Sequence, residues 1–299
     1  MAINFKQKSG AKNPKNRKKQ GENSNLKNDK SLGQHWLRDR EILDAIAFSA
    51  EIEDGDFVLE IGPGLGTLTS SLLKFAGKNG KVLSVEFDEN LARKLPAQFP
   101  GKNLEIINAD FLDFDLSKLQ KNYKVAANVP YYITSKIVEK LLTAENKPSV
   151  ASLLVQKEVA ERMAAGAGEL SILAIASQLY AEVELDILVP REFFTPPPKV
   201  DSQVVVLKTR KENLLEKFNR ENSCQISEKE FFRVVKAGFS AKRKKISKAL
   251  SGGLAISKEK TEQILTEAEI SPDVRAQDIE IENWLKLAKV FFREINHHT

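Results

Sequence analysis

Short apolar runs alternate with segments in which apolar residues recur three or four positions apart, and this alternation defines most of the chain. From Asp39 to Ala50, Ile42, Leu43, Ile46 and Ala47 keep helical spacing. Phe57-Val58-Leu59-Glu60-Ile61 then reads as a strand, followed by a glycine-rich turn and a helix from Thr67 to Phe75. Further strands are expected over Lys81 to Glu86, Leu104 to Asn108, Val125 to Asn128 and Ala151 to Gln156, with helices over Glu89 to Gln98 and Ser135 to Ala144. Strands alternating with helices predict an α/β fold, a mostly parallel Rossmann-like sheet with helices on both faces. Two later strands, Val183 to Val189 and Gln203 to Thr209, have no helix between them, which predicts an antiparallel hairpin finishing the sheet.

The pattern changes at both ends. Residues 1–30 are rich in Lys, Asn and Gly with few large apolar side chains, and are expected to be a disordered basic tail. Its cluster Lys15, Arg17, Lys18, Lys19 suits either phosphate contact or solubility. After about Lys211 helical spacings return, in Phe231, Phe232, Val235, Phe239, then Ile246 and Leu250, Ile264 and Leu265, and Trp284, Leu285, Leu287 and Val290. Three parts are therefore expected: the tail, an α/β domain over 31–210, and a small all-helical C-terminal domain over 211–299.

Composition narrows the chemistry. The net charge of +5 points towards an anionic partner, nucleic acid being the commonest. One cysteine (Cys224) excludes an intramolecular disulfide and a cysteine-based metal site. The three histidines, His35, His297 and His298, are scattered or terminal, so no metal is expected. No apolar run has the length of a membrane span, and the lysine-bearing N-terminus has no apolar h-region. A reducing cytoplasm is the expected compartment.

The candidate chemistry lies at the ends of the strands, where open α/β sheets bind ligands. In Glu60-Ile61-Gly62-Pro63-Gly64-Leu65-Gly66-Thr67, Gly62 and Gly64 let the backbone approach a ligand at the start of a helix. Glu86, ending the next strand, suits two ribose hydroxyls. Asp110, after the third strand, suits an adenine amino group, with Phe111 covering the ring. A dinucleotide fold does not generally need that second acid, so the pair favours S-adenosylmethionine. Asn128-Val129-Pro130-Tyr131 follows another strand. The Asn128 side-chain oxygen and the Pro130 carbonyl can each accept one N–H of an exocyclic amine, while Tyr131 offers a stacking face.

Six motifs occur in one order: G-Q-H-W-L from Gly33, E-I-G-P-G-L-G-T-L-T from Glu60, V-E-F-D around Glu86, N-A-D-F around Asp110, N-V-P-Y from Asn128, and F-T-P-P-P-K-V-D-S from Phe194. Over roughly residues 31 to 299 the chain resembles the rRNA adenine N6-dimethyltransferase family, most closely its bacterial small-subunit (16S) branch. The terminal hairpin likewise recurs in methyltransferases that use S-adenosylmethionine. The resemblance implies that His35 and Leu37 line the methionine end of that cofactor and that Gly62 contacts it. It further implies that Glu86 holds the ribose and Asp110 the adenine, with Asn128 between cofactor and target. Lys242, Arg243, Lys244 and Lys245 would contact RNA phosphates. Arg275, in Val274-Arg275-Ala276, resembles part of a motif near the C-terminus of the small-subunit enzymes and leans towards that branch. Three positions depart from the family pattern: Trp36 replaces phenylalanine, Tyr132 stands where asparagine is frequent, and Ala167 precedes Gly168 where an aromatic is common. No substrate role is expected of the Ala167 loop.

The implied reaction is double methylation of adenine N6 in small-subunit rRNA or an immature small subunit, by a monomer. Asn128 and Pro130 would stabilise the charge developing on nitrogen, and Tyr131 and Phe194 would clamp the ring. Two alternatives stay open: an adenine methyltransferase of large-subunit rRNA conferring macrolide resistance, and a non-catalytic ribosome-assembly factor. A dehydrogenase is disfavoured because no hydride-transfer acid or base stands beside the loop.

Overall fold

The computed structural model describes residues 35–241 and 243–296. The N-terminal tail with Lys15, Arg17, Lys18 and Lys19 lies outside the described residues, as do Gly33, Gln34, Lys242, His297 and His298.

The chain begins with a two-residue strand, β1 (Trp36–Leu37), and helix α1 (Arg40–Ser49). The Asp39 carboxylate caps α1 by accepting from Ile42 N at 3.1 Å. Then come β2 (Phe57–Ile61), α2 (Thr67–Ala76), β3 (Lys81–Glu86), α3 (Glu89–Lys94), β4 (Leu104–Asn108) and β5 (Lys124–Asn128). The helix expected over Glu89 to Gln98 tightens into a 3-10 turn at Leu95–Gln98 because Pro96 has no amide to donate. The middle of the chain holds α4 (Thr134–Thr143), β6 (Val150–Gln156), α5 (Lys157–Ala164), α6 (Ile172–Tyr180), β7 (Ala181–Val189), β8 (Phe194–Thr195) and β9 (Ser202–Thr209). Five helices complete it: α7 (Leu214–Asn222), α8 (Glu228–Phe239), α9 (Ile246–Leu254), α10 (Lys258–Glu267) and α11 (Ile281–Asn296).

The main sheet has seven strands in the order β4-β3-β2-β5-β6-β9-β7. β2 to β6 pair in parallel, and β9 runs antiparallel to both β6 and β7. The expected hairpin is present, with its second strand inserted inside the sheet and its first left at the edge. Alternate residues of each strand serve opposite faces. Val58, Val82, Ala126 and Leu154 pack with Leu43, Ile46, Leu68 and Leu72 of α1 and α2. Leu59, Leu83, Val125 and Leu153 pack on the other face with Ile137, Leu141 and Ile175 of α4 and α6.

The second apolar cluster continues without a break into the C-terminal helices, through Phe231, Val234, Leu250, Leu265, Trp284 and Phe291. Polar contacts cross the same junction. Gly168 N and Leu170 N donate to Gln277 O at 2.9 and 3.2 Å, and Gln277 Nε2 donates to Gly168 O at 2.7 Å. The loop around Ala167 is thus tied to the segment following Arg275.

The second small sheet has no counterpart in the sequence pattern. β1 pairs antiparallel with β8, placing Trp36 opposite Thr195 and Leu37 opposite Phe194. This two-rung ladder joins two motifs far apart in sequence and shapes one rim of the site.

Candidate active site

A cleft opens where β2, β3 and β5 end, as expected of a doubly wound sheet. Among its walls are His35, Gly62, Glu86, Asp110, Asn128 and Tyr131. The structure therefore brings the expected cofactor residues and the Asn128–Tyr131 segment to one place, with Leu37, Gly64 and Pro130 also on its border.

The glycine loop forms the floor. Gly62 has φ +67°, and a Cβ there would meet no atom within 4 Å, so this side of the backbone faces open cleft. Gly66 has φ +78° for a different reason: a Cβ would lie 2.4 Å from Leu95 Cδ1, where helix and loop pack closely. No side chain caps the first turn of α2, which leaves its amides to the loop and the cleft.

Two carboxylates stand where the cofactor is expected. Glu86 Oε2 accepts from Gly64 N and Oε1 from Asp88 N, both at 2.9 Å. Each oxygen keeps a lone-pair direction, so the carboxylate can still accept two hydroxyls. Burial raises its pKa, and the amide bonds of Asp88 and Gly64 oppose that rise. Asp110 Oδ1 accepts from Leu112 N at 2.8 Å, while Oδ2 accepts from no described residue. Phe111 is 5% exposed, whereas Phe87, which follows Glu86 and also borders the cleft, is 62% exposed. Sequence reading missed Phe87.

Glu60 lies beneath the loop and is buried. Its Oε2 accepts from Thr69 Oγ1 and Ser84 Oγ, both at 2.7 Å, and Oε1 has no partner among the described residues. Burial pushes its carboxyl up to about 7, against the two hydroxyl bonds and with a small push from Glu86.

At the other end Asn128 is held by its amide. Nδ2 donates to His35 O at 3.2 Å; a carbonyl can only accept, so this bond fixes the rotamer and leaves Oδ1 as a free acceptor. The Pro130 carbonyl, expected to be the second acceptor, instead closes the following turn. Ile133 N donates to it at 3.2 Å and Thr134 Oγ1 at 3.4 Å. The Val129 carbonyl accepts from no described residue, so it is the unengaged acceptor next to Asn128.

Tyr131 is pinned from two sides. Its hydroxyl meets Ser202 Oγ at 2.6 Å, and its ring stacks on His35 with centroids 5.8 Å apart at 25°. His35 Nδ1 is 2.8 Å from Pro196 O, which makes Nδ1 the protonated nitrogen. Burial raises the pKa of the Tyr131 hydroxyl, with the Ser202 bond opposing.

Phe194 differs from expectation. It is 3% exposed and packs with Leu37 and Leu43, because its pairing with Leu37 turns the ring into the core. It does not face Tyr131 across the cleft. Trp36 lies over the loop, its Nε1 3.8 Å from where a Gly64 Cβ would be.

The basic run lies elsewhere. Arg243, Lys244 and Lys245 are exposed in the turn before α9 and none borders the cleft. Lys245 Nζ pairs with Asp273 at 2.7 Å, between two exposed side chains. Among the described residues no group of His, Cys, Asp and Glu could hold a metal ion, and no helix is long and apolar enough to cross a membrane.

The family model for ribosomal RNA adenine dimethylase matches residues 25–292. The chain belongs to this dimethylase family. Among its relatives, ribosomal RNA small subunit methyltransferase A of Fusobacterium nucleatum subsp. nucleatum is 40% identical over 270 residues, covering 89% of this chain and 98% of that protein. Its counterpart in Dehalococcoides mccartyi is 37% identical over 266 residues, 88% of each chain. Among solved structures, a dimethyladenosine transferase from Plasmodium falciparum is 28% identical with a TM-score of 0.70, over 87% of this chain and 98% of that one. The 23S rRNA methyltransferase ErmE is 31% identical with a TM-score of 0.67, over 85% of this chain and 98% of that one. The family resemblance seen in the motifs, and the enzyme class it implies, are therefore established for this dimethylase-family chain. The free Val129 carbonyl and exposed Phe87 had no signal in the motifs, since neither a turn's hydrogen bonds nor a side chain's exposure is written in residue type.

Proposed function

We propose that this chain transfers methyl groups from S-adenosylmethionine to the exocyclic N6 of two adjacent adenosines in the 3′-terminal hairpin loop of small-subunit (16S) rRNA. The product is N6,N6-dimethyladenosine, made in the cytoplasm during ribosome biogenesis by a monomer acting on the rRNA or an immature small subunit. The observation that carries the reading is Asn128, whose Nδ2 donates to His35 O at 3.2 Å and so leaves Oδ1 as an acceptor, on a cleft that Val129 and Tyr131 also line. Relatives named for the small subunit, at 40% and 37% identity, favour that branch over the large-subunit one.

The cleft suits the cofactor. Gly62 leaves room for a ligand, Glu86 keeps two acceptor directions for ribose hydroxyls, and Asp110 Oδ2 is free for an adenine amine. His35, Leu37 and Gly64 complete its wall, with Asn128 at the junction with the target. When bound, S-adenosylmethionine supplies a methyl group on a sulfonium, whose sulfur leaves as a neutral thioether.

The adenine N6 lone pair is delocalised into the ring and must be drawn out of conjugation. Asn128 Oδ1 and the Val129 carbonyl each accept one N–H, which favours a tetrahedral nitrogen and stabilises its developing positive charge. Tyr131 stacks on one face of the base, held in place by Ser202 and His35. Phe194 acts from the core, anchoring the ladder that supports His35 and Leu37. After transfer, the proton leaves the nitrogen for water. A target base reaches the cleft by being turned out of its stack. Residues 31–210 carry this chemistry; the helical part, 211–299, contacts RNA through Lys242, Arg243, Lys244 and Lys245, and the N-terminus of α9, which follows Lys245, adds to the attraction of Lys244 and Lys245 for phosphate.

The test is incubation with labelled S-adenosylmethionine and undermethylated small subunits, large subunits or a non-ribosomal RNA, followed by mapping. Dimethyladenosine in the terminal hairpin of small-subunit rRNA is the expected product. Label confined to the large subunit would move the chain to the other branch. Absence of label with cofactor and RNA bound would leave an assembly factor.

A further inference from the structure

We infer that Tyr132 is a specificity-determining residue whose ring stacks on the nucleobase flanking the target adenosine, so that the cleft grips two neighbouring nucleotides. This rests on the reading of the cleft as an rRNA adenine methylation site.

Tyr131 and Tyr132 are consecutive residues of one 3-10 turn, Tyr131–Ile133, that starts where the Asn128 segment ends. Three residues complete one turn, so neighbouring side chains project about 120° apart. The two rings therefore cannot sandwich one base. Tyr131 is committed inward, with its hydroxyl on Ser202 and one face on His35. Tyr132 is the opposite case: it borders the same cleft, is 65% exposed, and its hydroxyl bonds to no described residue. A large flat side chain left in water at the rim of a cleft, with neither polar tie nor aromatic partner among the described residues, fits a stacking surface for a single-stranded base. A base turned out into the cleft brings its covalently attached neighbour to the rim, where Tyr132 stands. Stacking tolerates any base, so Tyr132 selects for an unpaired neighbour rather than for a sequence. It thereby restricts the enzyme to adenosines in a loop. The frequent asparagine at this position has no aromatic face to offer.

The experiment compares the full chain with Tyr132→Ala and Tyr132→Phe on the small-subunit hairpin, and on the same hairpin lacking the flanking base. Steady-state kcat and KM for RNA and cofactor affinity by calorimetry are the readouts. Tyr132→Ala is expected to raise KM for RNA by about 5- to 150-fold, the range of one lost base–aromatic stack, with kcat and cofactor affinity retained. Tyr132→Phe should restore KM, and loss of the flanking base should abolish the difference between wild type and Tyr132→Ala. An unchanged KM, a fall in kcat alone, or an equal penalty with the flanking base removed would overturn the inference while wild-type methylation stands. A wild-type protein that leaves the hairpin unmethylated would instead remove the functional reading beneath it.

Discussion

Replacing Asn128 by alanine tests the chemistry most directly. The substitution removes Oδ1, one of the two acceptors proposed for the target amine, and the Nδ2 bond to His35 O at 3.2 Å. Losing one preorganised polar partner of a transition-state charge typically slows chemistry by about 100- to 1000-fold, or about 3–4 kcal/mol. The lost bond to His35 lowers fold stability by only about 1 kcal/mol, a modest part of the total for a domain. Asn128→Ala should therefore remain folded and bind RNA while methyl transfer nearly stops. The assay is single turnover, with enzyme in excess over RNA and labelled cofactor saturating, so that weakened cofactor binding cannot mimic the effect. RNA affinity and a thermal melt are followed alongside. A saturated single-turnover rate within about 5-fold of wild type would refute the assignment of Asn128 as a charge-stabilising acceptor.

Glu86→Ala should weaken cofactor binding by about 10- to 100-fold, the worth of hydrogen bonds to a charged acceptor, as read by calorimetry; unchanged affinity would place the ribose elsewhere. Glu60 makes a pH prediction. Its carboxyl, raised from 4.5 to about 7 by burial, keeps a proton in the folded state that the unfolded chain has lost. Stability therefore falls as pH rises across that window, by about 3 kcal/mol in full. Urea unfolding of Glu60→Gln at about pH 5 and about pH 8 should lack this slope, and a wild-type slope in the variant would show that another group titrates. Finally, Arg243→Gln with Lys244→Gln should lower the salt dependence of RNA binding by about 0.7 in slope for each phosphate no longer neutralised, the value for single-stranded nucleic acid. Identical slopes would free this turn from the RNA interface.

How far the sequence could be read depended on whether a feature was local. β2, β3 and β4 stand where their apolar runs put them, and Asp39 marks the start of α1 as a cap should. Helices α5 and α6 were missed. α5 follows β6 directly, with Gln156 at its start making no side-chain cap, and buries few residues. α6, Ile172–Tyr180, is apolar on nearly every side, so its spacing carries no period. In the site, the glycine loop, Glu86, Asp110 and Asn128 were legible because each sits at a strand end and the strands were correctly placed. The burial of Phe194 was not, because it follows from a ladder with Leu37 that only the folded chain creates. The engagement of the Pro130 carbonyl likewise depends on a turn whose hydrogen bonds no residue type announces.

The position of β9 has a consequence for how the molecule is made. It fills the slot between β6 and β7, although it is the last strand of the main sheet to be synthesised. Until Thr209 has left the ribosome, β6 has an open flank and β7 has no neighbour to pair with. The nascent chain thus carries β7 without its partner, and the sheet is completed only when one late strand fills the place next to its edge. The C-terminal helices pack on the same face of the sheet, since their apolar residues belong to one cluster with those of β5 and β6. Completion of the main sheet therefore waits on the synthesis of residues 202–209.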